Sequence, residues 1–208
     1  MSATCFIVGA APDGDGVRFA PQTDDLVIAA DGGFSHLENA GIVPHVIIGD
    51  FDSLGFIPAQ TTVLSYAKEK DDTDMMLAIR YGLGKGFTTF EIYGGLGGRL
   101  DHTIANIQAL TFLARQGARG KLVSRNTWAS VICADSIAFD AAESGTISVF
   151  ALDEEVHGVT EYGLQYPLTK ATLSNSFPIG VSNAFVGVRS VVSAREGALL
   201  IILQKDAR

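Results

Sequence analysis

Two aspartates one residue apart, Asp50 and Asp52 in "HVIIGDFDSL" (45–54), close an apolar run. In an extended segment residues i and i+2 project from one face, so the two carboxylates lie side by side and repel unless something positive sits between them. Asp-x-Asp at a strand end is a hard-oxygen pair suited to Mg²⁺, an ion that keeps several waters and bridges to substrate phosphates. Three further segments carry similar chemistry: "ADGG" with Asp31, "KEKDDTD" with Asp71, Asp72 and Asp74, and "GGLGGRLDH" with Arg99 and Asp101. Each has an ordinary structural use when taken singly. Asp72 or Thr73 caps a helix beginning near Asp74, Asp101 occupies a first helical turn, and the glycines around 94–98 make a tight turn. Taken together, seven of fifteen aspartates on one rim would destabilise it without a bound cation. The stretch "YGGLGGR" (93–99) leaves backbone N–H groups open to a phosphate ahead of a helix, with Arg99 as a bidentate donor. It matches neither G-x-x-x-x-G-K-[ST] nor G-x-G-x-x-G.

These segments need a scaffold that gathers them. "CFIVGA" (5–10), "LVIAAD" (26–31), "HVIIGD" (45–50), "TVLSYA" (62–67) and "FEIYGG" (90–95) are continuous and β-branched, as buried parallel strands are. Helical patterns lie between them at 32–41, at 73–86 with apolar residues 75, 76, 79 and 83, and at 101–117. The last of these places Ile104, Ile107, Leu110, Thr111 and Ala114 on one side and ends at Gly117. Such βα alternation implies a largely parallel sheet, whose ligands bind at the carboxyl ends of the strands. Beyond residue 120 the helical period gives way to short strands and turn signals at sandwich-like spacing. The expectation is a Rossmann-like α/β domain over 1–120 and a smaller all-β sandwich over 121–208.

Bulk properties exclude several classes. The chain is 47% hydrophobic and 18% charged, with a formal net charge of −8 and no Lys/Arg run, so a nucleic-acid or anionic-membrane surface is not expected. No stretch approaches the roughly 20 apolar residues of a membrane span. Cys5 and Cys133 lie in apolar runs, lack the spacing of a metal site and follow no signal peptide, which predicts a reducing cytoplasm. Among the histidines, His36 and His45 read as structural, His157 as part of a turn, and only His102 lies near the rim. Trp128, Met75 and Met76 read as core.

In order, "ADGG", "GDFDS", "KDDTD" and "GGLGGRLDH", followed by "GLQYPL" and "GVSNAF" in the β region, resemble thiamine pyrophosphokinase, over nearly the whole chain. The resemblance implies a nucleotide-binding domain, a thiamine-binding and dimerisation domain, and a homodimer with active sites between subunits. It also implies Mg²⁺-dependent transfer of pyrophosphate from ATP to the thiamine hydroxyl, releasing AMP. By position, Asp50, Asp52 and Asp74 correspond to metal and catalytic carboxylates, joined by Asp101 and Asp31. Lys70, Thr73 and Arg99 would lie along the nucleotide phosphates, with Gly32, Gly94 and Gly95 in the same loops. Tyr166 takes the place of an aromatic that stacks on thiamine and is Trp in some members. Ser182 and Asn183 resemble the substrate-binding pair. Another Mg²⁺ enzyme, a phosphatase with an aspartyl nucleophile or a nucleotide-sugar transferase, would account for "GDFDS" but not for the β-region motifs. A non-catalytic thiamine or nucleotide sensor would not need the full carboxylate set.

Overall fold

Continuous apolar runs in the first half of the chain become short buried strands in the computed structural model, which describes residues 3–12, 17–49, 61–65 and 72–205. Two compact units result: residues 1–109 with 120–125, and residues 110–119 with 126–208. The division expected at residue 120 is therefore interleaved, the chain passing between units within a helix and again near residues 120 and 126.

The first unit contains strands β1 (Cys5–Val8), β2 (Leu26–Ala30), β3 (Val46–Gly49), β4 (Thr62–Ser65) and β5 (Thr89–Tyr93), all parallel, with β6 (Arg119–Val123) beside β5. Their order is β6-β5-β1-β2-β3-β4. Alternation along the strands sends Phe6, Val8, Val27, Ala29 and Ile47 to one face, where Phe34 and Leu37 of α1 (Gly33–Asn39) cover them. On the other face α2 (Asp74–Gly84) comes so close that a Cβ on its Gly82 would lie 2.8 Å from Cys5 Sγ and 2.6 Å from the Phe90 ring. Burial pushes the Cys5 thiol up to about 12. His45 accepts a hydrogen bond from the Val27 N–H at its Nδ1 (3.0 Å), a structural role.

The third helix, α3 (Leu100–Arg115), departs from the expected face. Ala109, Leu110 and Leu113 are its buried residues, while Ile104 is 51% exposed. A period of 3.6 leaves the phase of a mixed apolar helix undecided when small residues can also be buried.

The second unit is all-β apart from the end of α3. One row, β12-β9-β14-β7, pairs antiparallel: β12 (Asn183–Ala184), β9 (Thr146–Ala151), β14 (Ala198–Gln204) and β7 (Thr127–Cys133). A separate antiparallel sheet runs β11-β10-β13-β8, from β11 (Leu168–Ser174), β10 (Glu155–Tyr162), β13 (Ser190–Ser193) and β8 (Ser136–Phe139). Val149, Ile201 and Leu203 of the first row share one core with Val156, Val159 and Val192 of the second sheet. His157, expected in a turn, lies within β10, because the register shift between Val156 and Val159 adds a residue to this strand and breaks the two-residue period that marks one. The protein is thus mixed α/β, with a large sheet and a separate antiparallel one. No helix among the described residues is long and apolar enough to cross a membrane.

Candidate active site

In the order β6-β5-β1-β2-β3-β4 the chain runs outward from β1 to β4 and then returns to β5 on the other side of β1. The winding of the sheet therefore reverses between β1 and β5, and the carboxyl ends of strands at such a switch point are the usual ligand position in an open parallel sheet. A cavity of about 420 Å³ occupies that place, walled by Gly9, Ala10, Pro12, Gly94, Gly95 and Gly98. Asp31, Thr73, Asp74, Arg99 and His102 also line it.

Local sequence explains how these residues arrive there. Gly9 donates its N–H to the Tyr93 carbonyl (2.8 Å) and Ala11 donates to that of Gly94 (3.0 Å), so the β1 and β5 loops run in contact. The approach requires glycine: at Gly94 the backbone is left-handed (φ 60°) and a Cβ would lie 2.2 Å from the Gly9 carbonyl oxygen. Asn106 on α3 donates from Nδ2 to the Gly95 carbonyl (2.8 Å), tying the turn to the helix. Thr73 is the N-cap of α2, its Oγ1 accepting from the Met76 N–H (3.2 Å), which sets Asp74 in the first helical turn at the cavity wall. Asp72 pairs with Arg80 (3.0 Å). Asp31 holds an uncommon left-handed backbone (φ 54°) just past β2 while donating its N–H to the Ile48 carbonyl (2.8 Å).

Arg99 and Asp101 meet each other: Nη2 to Oδ2 is 2.6 Å and Nε to Oδ1 is 3.2 Å. The guanidinium holds the Asp101 carboxyl below its ordinary range, helped by the His102 N–H. Being fully exposed, the pair is open to exchange of partners with an incoming anion.

The structure thus gathers Asp31, Thr73, Asp74, Gly94, Gly95 and Arg99 at one cavity, with Asp101 beside Arg99 and Gly32 next to Asp31 as N-cap of α1. Asp50, Asp52, Lys70 and Asp71 lie outside the described residues. Among the described residues no three His, Cys, Asp or Glu side chains are grouped closely enough to hold a metal. Sequence reasoning missed the loop Gly9–Pro12, which carries no charged group to draw attention, and Asn106, which looks like any polar helix residue.

The other expected residues lie in the second unit. Tyr166 exposes its ring (63%) beyond β10, and Ser182 adopts a left-handed backbone (φ 61°) with its N–H donating to Ser148 Oγ (3.1 Å). Asn183 is buried. Its Oδ1 accepts from the Tyr166 N–H (2.9 Å) and the Ala184 N–H (2.9 Å). Its Nδ2 donates to the Tyr166 carbonyl (2.8 Å) and to Glu161 Oε2 (3.2 Å). All four bonds an amide can make are in use. The amide is thus held by its own chain, two of its four bonds going to the backbone of Tyr166.

The catalytic domain model of thiamin pyrophosphokinase matches residues 20–122, and the vitamin B1 binding domain model of the same family matches residues 136–199. The chain belongs to the thiamin pyrophosphokinase family. Over 188 residues it is 29% identical to "Thiamine pyrophosphokinase" of Bacillus subtilis, covering 87% of this chain and 88% of that one. A crystal structure of thiamine pyrophosphokinase from Bacillus subtilis superposes with a TM-score of 0.88 at 27% identity, over 98% of this chain and 100% of that chain. Thiamin pyrophosphokinase from Candida albicans shares the fold, with a TM-score of 0.77 at 14% identity, over 99% of this chain and 90% of that chain. The first matched segment contains the cavity residues from Asp31 to Asn106, whereas the Gly9–Pro12 wall precedes it. The second contains Glu161, Tyr166, Ser182 and Asn183.

Proposed function

We propose that the protein transfers the pyrophosphoryl group of ATP to the hydroxyl of thiamine, giving thiamine diphosphate and AMP. The observation that carries this reading is the glycine-walled cavity at the β1–β5 crevice, rimmed by Asp31, Asp74 and Arg99, in a member of this family. Glycine turns leave backbone N–H groups accessible to phosphate oxygens, the start of α3 faces the same side, and Arg99 supplies a fork of donors. A triphosphate entering there competes with Asp101 for the guanidinium.

The cation we assign is Mg²⁺. The donor set fits it, since the rim offers carboxylate oxygens and no thiolate. Asp50, Asp52 and Asp74 would hold it, and Gly49, the residue before Asp50, lies against Asp31, a Cβ there falling 3.3 Å from the Asp31 Cα. When bound, the ion neutralises phosphate charge and fixes the chain of phosphates. In the reaction the thiamine hydroxyl oxygen bonds to the β-phosphorus, the bond from that phosphorus to the oxygen bridging the α-phosphate breaks, AMP leaves with the electron pair, and the hydroxyl proton is released. The protein's part is positioning and charge neutralisation.

The first unit serves as a Rossmann-like nucleotide domain, Thr73, Lys70, Gly32, Gly94 and Gly95 lying along the nucleotide. The second serves as a β-sandwich that receives thiamine, whose thiazolium cation and planar rings suit the exposed face of Tyr166, with Ser182 beside it. Phe177, Ile179, Val181, Val186 and Val188 of the same unit are large apolar residues left exposed, which supports a homodimer in which one protomer completes its partner's site. We place the enzyme in the cytoplasm. Incubating the protein with ATP, Mg²⁺ and thiamine tests the reading. AMP and thiamine diphosphate should form in equal amounts, and release of ADP, or of AMP without thiamine, overturns it.

A further inference from the structure

One buried carboxyl group in the second unit has no part in the proposed reaction. Glu161 is 2% exposed, on a strand whose other inward residues, Val156 and Val159, belong to the hydrophobic core. The register shift between Val156 and Val159 resets the phase of β10, and ordinary alternation from Val159 then carries Glu161 inward. Of its two oxygens, Oε2 accepts one hydrogen bond, from Asn183, and Oε1 has no partner among the described residues. A carboxyl buried on so few bonds destabilises the fold, and an aliphatic side chain of that size would avoid the penalty. Its presence therefore calls for a task that an aliphatic residue cannot perform.

That task is visible in the bond it makes. Three of the four bonds of the Asn183 amide go to backbone groups, two of them to the N–H and carbonyl of Tyr166. The remaining amide hydrogen points into the core and meets Glu161. Without an acceptor there, a buried donor is left unsatisfied and the amide gains by rotating toward water, releasing Tyr166. We infer that Glu161 is a positioning residue: through Asn183 it fixes the backbone of Tyr166, so that the exposed ring is presented to a planar cationic ligand in one orientation. This rests on Tyr166 being the thiamine contact. Burial raises the Glu161 carboxyl above its ordinary range, partly offset by the Asn183 bond, and glutamine is its uncharged isostere.

The test compares Glu161→Leu and Glu161→Gln in the full chain, each also combined with Tyr166→Ala, by the KM for thiamine, the KM for ATP, kcat and the melting temperature. Glu161→Leu should raise the thiamine KM about tenfold with the ATP KM within about twofold, and Glu161→Gln should restore it to within about threefold. In the Tyr166→Ala background Glu161→Leu should add less than about twofold, because both changes act on one ring. An unchanged thiamine KM in Glu161→Leu, equal losses for both substrates, or an undiminished effect in the Tyr166→Ala background overturns the inference. If Glu161→Leu does not fold, Asn183→Asp decides: it sets an oxygen against Glu161 and the Tyr166 carbonyl, and a thiamine KM unmoved by it overturns the role. Turnover by the unmutated protein keeps these outcomes separate from the functional reading, which fails only if that protein does not consume thiamine.

Discussion

The two polar regions of this protein are built in opposite ways. At the β1–β5 crevice the charged groups face outward, and the pair Arg99–Asp101 is fully exposed and ready to exchange partners. In the second unit Asn183 and Glu161 are buried and bonded to each other, Asn183 also holds the backbone of Tyr166, and the aromatic ring of Tyr166 is offered to solvent. The contrast follows the ligands assigned to each. Phosphates and their cation are recognised by charge, so the residues that bind them must keep bonding capacity in reserve. A flat organic cation is recognised by a face, so the polar groups beneath that face serve best when fully used, holding it still.

Breaking the first region should have the larger effect. If Asp50 and Asp52 hold the proposed Mg²⁺, Asp50→Asn or Asp52→Asn should lower kcat roughly a thousandfold, as loss of several kcal/mol of metal-ion stabilisation would. The metal-free melting temperature should hold or rise, since one like-charge repulsion is gone. Near-normal turnover at limiting Mg²⁺ would remove these residues from the metal site.

Next comes the wall between the two loops. Gly94→Ala places a Cβ against the Gly9 carbonyl in a left-handed backbone, and should destabilise the protein by roughly 2–4 kcal/mol and raise the ATP KM. Denaturant titration with nucleotide kinetics measures both, and a mild change in each would show that the loops can separate freely.

In the second region Tyr166→Ala should weaken thiamine binding by roughly 0.5–2 kcal/mol and leave ATP nearly untouched, while Tyr166→Trp should preserve or tighten it. Calorimetric titration of thiamine beside a non-hydrolysable ATP analogue separates the two; equal weakening of both ligands would make the ring a structural residue.

The smallest effect concerns pH. The Glu161 carboxyl is raised in the folded state, so folding favours its protonated form. The stability this contributes is fully present below the ordinary glutamate range and is lost as pH rises through the higher folded value. Glu161→Gln should therefore flatten the stability curve across that window, as followed by urea midpoints at successive pH values. A curve identical to that of the unmutated protein would mean that burial does not shift the group.

What the amino-acid sequence by itself determined were features carried by near neighbours. Continuous β-branched runs became β1 to β5, Thr73 capped its helix through a hydroxyl three residues from Met76, and Gly94, Gly97 and Gly98 turned with left-handed backbone. The positions of Asp31, Asp74 and Arg99 on one rim were legible because parallel strands deliver their following loops to one edge. Only the tertiary structure decided which loops meet and which polar groups are already taken. Gly9 touches Gly94 across most of the first unit, Asn183 bonds Tyr166 seventeen residues away, and Val159 and Glu161 face inward only after a shift of strand register beyond Val156. None of these leaves a local periodic trace, because each depends on backbone groups that the fold brings together and on burial that removes the competing water.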